Sequence, residues 1–221
     1  MGKVIPNQPL LIALYGFPGA GKTHFARQFC EHIQAAHIQG DRIRAELFEK
    51  PRYDKQENDV ITQLMNYMTE EFLNAGISVV YDVNAMRSAQ RHGLRTLAHK
   101  AHAEAVSIWL QMDPESAFQR SAKRDRRRAD DKYAAAYDRP AYGALIGHMQ
   151  NPLASEDAIV VSGKHPFNTQ FSSVLRRMRD LGLVHGQGGA PVIKPGMVNL
   201  VPQPHILRGR VDNSRRNIMI R

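Results

Sequence analysis

The sequence is poor in cysteine, in aromatic residues and in long apolar runs. Cys30 is the only cysteine among 221 residues, so no disulfide can form within the chain and a cytosolic setting is expected. No apolar run reaches the roughly 18 residues that a membrane span needs, and residues 1–9 lack the apolar segment of a signal peptide. Aromatic residues make up 7% of the chain, which gives little sign of a platform for stacking nucleic-acid bases. These shortages favour a cytoplasmic protein that has no membrane partner.

Basic residues, in contrast, are in excess. The formal net charge is +9, which favours an anionic partner: a nucleotide, a phosphorylated substrate or a nucleic acid. Two stretches carry much of this excess, residues 120–132 and residues 194–221. A basic balance without any specific partner is the simpler alternative.

Strand-like and helix-like segments alternate along the first 182 residues. The strands are predicted at Leu10–Tyr15, His37–Gln39, Ile77–Val83, Ala105–Leu110 and Ala158–Val161. The helices are predicted at Lys22–Ala36, Asp41–Phe48, Asn58–Ala75, Ser88–Ala103, Pro114–Lys123 and Asn168–Leu181, with Ser88 as an N-cap. This alternation predicts an α/β fold with three α/β/α layers around a five-stranded parallel sheet.

The last part of the chain differs in composition. Residues 183–221 are rich in proline and glycine and show no helical stripe, so we expect an extended basic tail that wraps the core or a neighbouring chain. The predicted division is a domain over residues 1–182, with a helical basic lid at about 120–140, followed by this tail. The tail offers a route to oligomer formation.

The strongest motif joins the first predicted strand to the first helix. The segment GFPGAGKT at residues 16–23 fits G-x-x-x-x-G-K-[ST], a P-loop. Its glycines permit close backbone approach to phosphate oxygens, and the following helix adds the positive end of its dipole. Lys22 would reach the β- and γ-phosphates, and the Thr23 hydroxyl would bind Mg²⁺. The expected nucleotide-binding residues are Gly16, Pro18, Gly19, Ala20, Gly21, Lys22, Thr23 and His24.

Two carboxylates lie at the ends of predicted strands, at the expected ligand crevice. Asp41 follows the second strand, where it can accept the proton of an attacking hydroxyl or, alternatively, cap a short helix. Asp82 ends the third strand and would hold Mg²⁺ directly or through water. Arg44 is either a clamp for an anionic acceptor or a solvated helix residue, and Asn84 either binds the acceptor or caps the next helix.

A cluster of basic residues follows the helix after the fourth strand. Arginine binds phosphate through a planar fork of donors, so this cluster is expected to close over a triphosphate. The alternative is a solvated charged helix. Arg120, Arg124 and Arg127 are the first choices for contacts with phosphate, Arg124 and Arg127 for catalysis, and the sequence does not separate Arg126, Arg127 and Arg128.

Together these segments resemble the polynucleotide-kinase-like P-loop kinases, a family related to zeta toxins and small-metabolite kinases. The matching pieces are GFPGAGKT at 16–23, GDRIR at 40–44, VVYDVNAMRSAQR at 79–91 and the basic lid at 120–128. The resemblance implies the P-loop NTPase fold, with residues 163–166, including Lys164, near the adenine. It also implies that Asp41 is the general base and that the acceptor site contains Asp41, Arg44, Asp82, Asn84 and Arg87. Val83 departs from the pattern, because relatives often have threonine there.

The expected function is an ATP-dependent kinase with Mg²⁺ that phosphorylates a hydroxyl acceptor. ATP is the expected donor and GTP the alternative. The charge favours an RNA or DNA 5′-hydroxyl end as the acceptor. A small molecule or a nucleotide sugar is the rival acceptor, and an NTP-dependent switch or ATPase is the rival class. No switch loop with a water-positioning Gln or Thr is evident in the sequence.

Overall fold

The computed structural model describes residues 2–83, 87–125, 127–129 and 131–185, and the backbone of 206–207 and 210–211. Met1–His185 form one compact unit and Gly186–Arg221 a second, in which Ile206–Leu207 and Arg210–Val211 pair as short antiparallel strands. The strands of the first unit are β1 (Leu10–Tyr15), β2 (Ala35–Gln39), β3 (Ser78–Asp82), β4 (Glu104–Gln111) and β5 (Ile159–Ser162). Its helices are α1 (Lys22–His32), α2 (Gly40–Leu47), α3 (Lys55–Asn74), α4 (Ser88–Lys100), α5 (Pro114–Ala122), α6 (Arg139–Gly147) and α7 (Phe167–Asp180).

The five strands form one parallel sheet in the order β2-β3-β1-β4-β5. The central strand, β1, is buried along its whole length. Leu10, Ile12 and Leu14 face one hydrophobic cluster, whereas Leu11, Ala13 and Tyr15 face the other. Since both faces of β1 are covered, the strand is a continuous apolar run with no polar alternation.

Helices cover both faces of the sheet. Helices α1 and α7 pack on one face through apolar side chains that include Phe29 and Met178. Helices α3 and α4 pack on the opposite face through side chains that include Met65 and Leu94. The predicted three-layer α/β/α arrangement with a five-stranded parallel sheet is therefore confirmed. Among the described residues, no helix is both long and apolar enough to cross a lipid bilayer.

Some predicted boundaries were wrong. Helix α1 ends at His32 because strand β2 begins as early as Ala35, and Arg87, not Ser88, occupies the N-cap position of α4. The basic lid is less helical than predicted, since α5 ends at Ala122 and the described residues from Arg124 to Asp138 lie outside any helix. The i, i+4 spacing of Arg120 and Arg124 therefore does not place them on one helical face.

A helix that the sequence analysis did not identify follows residues 123–138, which we call the basic segment. Helix α6 begins after Asp138, whose carboxylate accepts a hydrogen bond from the Ala141 amide at 2.8 Å. Its Tyr142 hydroxyl donates a hydrogen bond to the Pro18 carbonyl at 3.1 Å. Helix α6 is therefore tied directly to the P-loop.

Most of the predicted tail lies outside the described residues. Its first residues belong to the compact unit, since the Asn7 amide donates to the Leu183 carbonyl at 2.9 Å and Val184 pairs with Pro6. The extended form of the tail stays a prediction.

The sheet positions the candidate site by bringing the ends of its strands to one edge. Gln39 and Asp82 are partners in the β2–β3 register, so Gly40 and Val83 emerge side by side. The P-loop follows β1 at the same edge because all five strands are parallel. Ligands of parallel α/β sheets bind outside the carboxyl ends of the strands.

Candidate functional site

A cleft of about 1350 Å³ opens at this edge of the sheet. Its floor is the P-loop and the start of α1. One wall consists of the start of α2, part of α3 and the end of β3, with Asp41, Arg44 and Asp82. The facing wall consists of α5, the basic segment and the turn after β5, with Arg120 and Arg124. We call these two surfaces the α2–α3 wall and the basic wall.

The P-loop requires glycine for two reasons: the backbone conformation of the loop and the lack of space for a side chain. Gly16, Gly19 and Gly21 have φ angles of 138°, 90° and 97°, values that residues with a side chain rarely adopt. A Cβ atom at Gly19 would lie 2.0 Å from the Ala117 carbonyl oxygen, so the loop packs directly on α5. Gly21 is the N-cap of α1 and no side chain caps that helix, which leaves its first amide groups available for an anion.

Lys22 is buried and folded back over the loop. Its ammonium group donates hydrogen bonds to the carbonyl oxygens of Gly16 at 2.9 Å and Phe17 at 3.1 Å. Burial lowers the pKa of Lys22 to about 8, although the charge of nearby Asp82 opposes this shift. A bound phosphate would restore the charged form, because opposite charge stabilises the ammonium ion.

Asp41 is the second residue of α2, and it does not cap that helix. The N-cap is Gln39, so the alternative role of Asp41 as an N-cap is not observed. Burial and the charge of Asp82 raise the pKa of the Asp41 carboxyl, and the charges of Arg124 and Lys22 oppose this rise. Within the described part of the chain, no donor forms a hydrogen bond with this carboxylate. Asp41 is therefore a partly desolvated carboxylate at the cleft that is available to a ligand.

Asp82 is almost fully buried at the end of β3, and it has a partner that sequence analysis missed. One of its carboxylate oxygens lies 3.2 Å from Nε2 of His37. The two residues lie on neighbouring strands, and only the strand order reveals this proximity. Asp82 lines the cleft as expected, with His37 holding one side of its carboxylate.

Arg44 also lines the cleft, but its charge is compensated. Its guanidinium forms a buried ion pair with Glu57 and donates to the Asn58 carboxamide oxygen at 2.6 Å. It also stacks over the Tyr53 ring, 4.7 Å from the ring centroid. Burial disfavours the Glu57 carboxylate, but hydrogen bonds from the Arg52 amide and from Arg44 outweigh burial and lower the pKa of Glu57. Arg44 is therefore neither a solvated helix residue nor an uncommitted cation.

The basic wall holds two of the three favoured arginines. Arg120 lines the cleft and donates to the Gly163 carbonyl at 2.8 Å, which connects α5 to the turn after β5. Arg124 donates to the Ala135 carbonyl at 3.0 Å, and its charge acts on both Lys22 and Asp41. Both arginines therefore face the space above the P-loop.

Arg127, the third favoured arginine, does not line the cleft. Its side chain is 92% exposed and pairs with Asp125 at 3.0 Å, outside the cleft lining, whereas Arg128 belongs to that lining. The predicted contact of Arg127 with phosphate therefore lacks geometric support, because the chain turns after α5 and does not continue as a helix. Arg126 is not among the described residues.

Two of the remaining site predictions, Lys164 and Arg87, lie at the edges of the cleft. Lys164 lines it and forms a 2.7 Å ion pair with Asp113, which lowers the pKa of that carboxyl. Arg87 lines the rim and is exposed. Asn84 lies outside the described residues. His24 and Thr23 lie on the first turn of α1 and line the floor.

Sequence analysis also missed Tyr137, which lines the cleft between the basic segment and α6. Burial raises the pKa of Tyr137 to about 12, and the charge of Asp41 adds to this effect, so the phenol stays protonated. The sequence carries no motif around this tyrosine.

The donor set of the cleft fits Mg²⁺. No group of three or more His, Cys, Asp or Glu that could enclose a metal exists in the parts of the chain that the structure describes. The Thr23 hydroxyl and the Asp82 carboxylate both line the cleft. Mg²⁺ commonly takes one or two protein oxygens and completes its shell with water and phosphate, so these two ligands suffice.

The family of the chain follows from a match to the model of the AAA domain, which covers residues 11–139. This span exceeds half of the chain, and the chain belongs to that family. No curated protein sequence matches the chain significantly.

Solved structures share the fold. The Mycobacterium tuberculosis APS kinase CysC in complex with AMPPNP and APS is 14% identical, with a TM-score of 0.58 over 79% of this chain and 99% of that chain. Chaetomium thermophilum Kti12 in complex with ADP-AlF3 is 17% identical, with a TM-score of 0.59 over 80% and 100%. A chain of the Pnkp1/Rnl/Hen1 RNA repair complex is 18% identical, with a TM-score of 0.54 over 64% and 44%. The fold is that of the P-loop kinases.

Proposed function

We propose that this member of the AAA domain family is a kinase that transfers the γ-phosphoryl group of ATP to a hydroxyl acceptor. The P-loop supports the binding of a nucleoside triphosphate, because its backbone conformation and the uncapped start of α1 suit a chain of phosphates. The APS kinase and Kti12 structures were solved with AMPPNP and ADP-AlF3, which makes ATP the favoured donor.

The observation that carries the proposal is the environment of Asp41. The carboxylate lines the cleft beside the P-loop and accepts no hydrogen bond from the described residues, and burial raises its pKa. A nucleotide switch needs no such base, whereas a kinase needs an acceptor for the hydroxyl proton. Asp41 therefore favours transfer to an alcohol over simple nucleotide binding.

The transfer step requires little covalent chemistry from the protein. The acceptor oxygen attacks the γ-phosphorus while its proton moves to a carboxylate oxygen of Asp41. The bond between the γ-phosphorus and the β–γ bridging oxygen breaks, and ADP leaves with the electron pair. Lys22 and Arg124 would neutralise charge on the phosphates during this step.

Thr23 and Asp82 would hold Mg²⁺ at the floor of the cleft. When bound, the ion would neutralise phosphate charge and fix the geometry of the triphosphate. His37 would orient the Asp82 carboxylate through the 3.2 Å contact.

The acceptor itself is less constrained than the donor. The net charge of the chain favours an RNA or DNA end, and one structural neighbour belongs to an RNA repair complex. Another neighbour is an APS kinase, whose structure contains APS. A hydroxyl acceptor is common to both possibilities.

The proposal is tested by incubating the protein with γ-labelled ATP, Mg²⁺ and separate acceptors. The panel holds 5′-hydroxyl oligonucleotides, nucleosides, nucleotide sugars and free sugars, and Lys22→Met is the inactive control. We expect label on one acceptor class with the wild type and none with the variant. Release of free phosphate without label on any acceptor would instead indicate an ATPase and would refute the kinase assignment.

The rate should also depend on pH in a defined direction. Asp41 accepts a proton only when it is ionised, so activity should be lost as the pH falls through its raised pKa. The midpoint of this loss of activity should lie at a pH above the ordinary pKa of aspartate, which is about 3.9. A pH profile of kcat/KM at saturating ATP measures this midpoint, and a midpoint at or below the ordinary value would contradict the role of Asp41.

A further inference from the structure

We infer that the acceptor is a hydroxyl compound that carries no phosphate group on the part that enters the cleft. This inference rests on the proposed kinase function and concerns the α2–α3 wall. It runs against the acceptor that the net charge of the chain favours.

The first argument is the state of Arg44, the buried cation of this wall. A cation that binds a substrate phosphate must present its charge and its fork of donors to the cleft. Here one terminal nitrogen is taken by the Glu57 carboxylate and the other by Asn58. The Glu57 side chain is fully buried and also accepts a hydrogen bond from the Arg52 amide at 2.7 Å. This pair would have to break before Arg44 could grip a phosphate.

The second argument is the sum of charges on the α2–α3 wall. Asp41 is a carboxylate with no buried arginine or lysine partner on that wall, and Glu57 cancels the charge of Arg44, whereas Mg²⁺ would neutralise Asp82. Arg87 is the remaining cation among the described lining residues of the wall, and it is exposed at the rim. A phosphate placed beside Asp41 would therefore meet repulsion from like charge.

The opposite surface has the reverse character. Arg120, Lys123, Arg124, Arg128 and Lys164 all line the basic wall. The positive charge of the cleft thus lies on the side where the triphosphate is expected. The positive charge of the cleft is therefore explained by the triphosphate of the donor nucleotide, and it does not require an anionic acceptor.

A third observation is an unpaired hydrogen-bond donor on this wall. The Nε atom of Arg44 is buried and has no hydrogen-bond partner among the described residues, and Arg44 itself is 7% exposed. An unpaired buried donor is costly, and a ligand oxygen would satisfy it. A hydroxyl or carbonyl oxygen is a sufficient acceptor for this bond, so the donor does not require a phosphate. Arg44 would then position a neutral acceptor beside Asp41.

The test compares matched acceptors that differ only by a phosphate. The probes are a nucleoside and its 3′-monophosphate, and a hexose and its 6-phosphate, each with γ-labelled ATP and the full-length protein. Where a pair is labelled, we expect the unphosphorylated member to have a kcat/KM at least about ten-fold higher, the effect of one uncompensated like-charge contact. Faster labelling of the phosphorylated member would overturn the inference and leave the kinase proposal intact. Phosphate release with no labelled acceptor would overturn both.

A charge variant tests the physical cause. Glu57→Gln leaves Arg44 unneutralised, so the preference for the unphosphorylated member should shrink by about ten-fold. Glu70→Gln removes the same charge from an exposed position of α3 outside the cleft lining and should leave the preference unchanged. If Glu57→Gln fails to fold, Arg44→Gln combined with Glu57→Gln removes both charges. This double variant should keep the wild-type preference, because the net charge of the wall is the same. A stronger preference in the double variant would mean that Arg44 itself binds the phosphate, and a loss of preference would mean that the net charge of the wall is not its cause. Either result would overturn the inference.

Discussion

Binding of a triphosphate should be coupled to proton uptake by Lys22. In the unliganded protein, burial lowers the pKa of this amine to about 8, far from the ordinary value of 10.5. Phosphate oxygens beside the amine favour the charged form, so the pKa should rise again when ATP binds. Because the pKa is higher in the complex, binding takes up protons, and the affinity for ATP falls as the pH rises above 8.

The size of this effect follows from the pKa of Lys22. With a pKa of about 8 before binding, about 0.1 proton per site should be taken up at pH 7, about 0.5 at pH 8 and about 0.9 at pH 9. At pH 8 and pH 9 the phosphates of ATP do not mask this signal, because a phosphate ester with a second pKa of about 6 is about 99% ionised or more there. Above pH 8, the dissociation constant should increase toward a limit of about ten-fold per pH unit.

Isothermal titration calorimetry measures the uptake directly. The observed heat of ATP binding should change with the ionisation enthalpy of the buffer, and the slope gives the number of protons at each pH. Lys22→Arg is the control, because arginine stays protonated across this range and should remove the dependence. A wild-type slope that stays near zero from pH 7 to pH 9 would refute the claim that Lys22 takes up a proton when ATP binds. A slope that the Lys22→Arg variant retains would refute it as well, because the proton would then bind elsewhere.

Two further substitutions test the P-loop and the basic wall, each against a matched control. Gly19→Ala would place a Cβ atom 2.0 Å from the Ala117 carbonyl oxygen at a positive φ, so we expect weaker ATP binding and a loss of about 1–3 kcal/mol of stability in thermal denaturation. Gly93→Ala meets open space within α4 and should instead stabilise by up to about 1 kcal/mol, and equal behaviour of the two variants would contradict the packing argument. Arg124→Ala should slow transfer in single-turnover kinetics, since an arginine on the transferred group is worth roughly 10³–10⁵ in rate. Arg127→Ala should leave the rate unchanged, because that side chain is 92% exposed, and a comparable loss in both variants would show that the basic segment closes differently.

The parts of the fold that sequence analysis identified depend on local signals. Strand β1 is a continuous apolar run that ends at a glycine-rich phosphate motif, and this pattern predicts both the strand and the loop without knowledge of the partners. The position of Asp41 beside the loop follows from the rule that ligands bind at the carboxyl ends of parallel strands. Both features are encoded within a few residues.

The features that sequence analysis missed depend on contacts between distant segments. The contact of His37 with Asp82 requires that β2 and β3 be neighbours, which the strand order decides. The ion pair that compensates Arg44 requires α2 to pack on the start of α3. The early end of α5 exposes Arg127, although the charge pattern there also fits a longer helix. In each case the residue types are evident in the sequence, but their partners are not.

The role of Asp41 is the central claim, and the single-turnover rate of Asp41→Asn tests it most directly. With an acceptor identified, the variant should bind ATP as tightly as the wild type but transfer the phosphoryl group about 10²–10⁴ times more slowly, because it lacks the base. Asp59→Asn removes a carboxylate from an exposed position of α3 outside the cleft lining and should transfer at the wild-type rate. An Asp41→Asn protein that transfers as fast as the wild type would contradict the account, because the proton of the acceptor would then have to leave by another route.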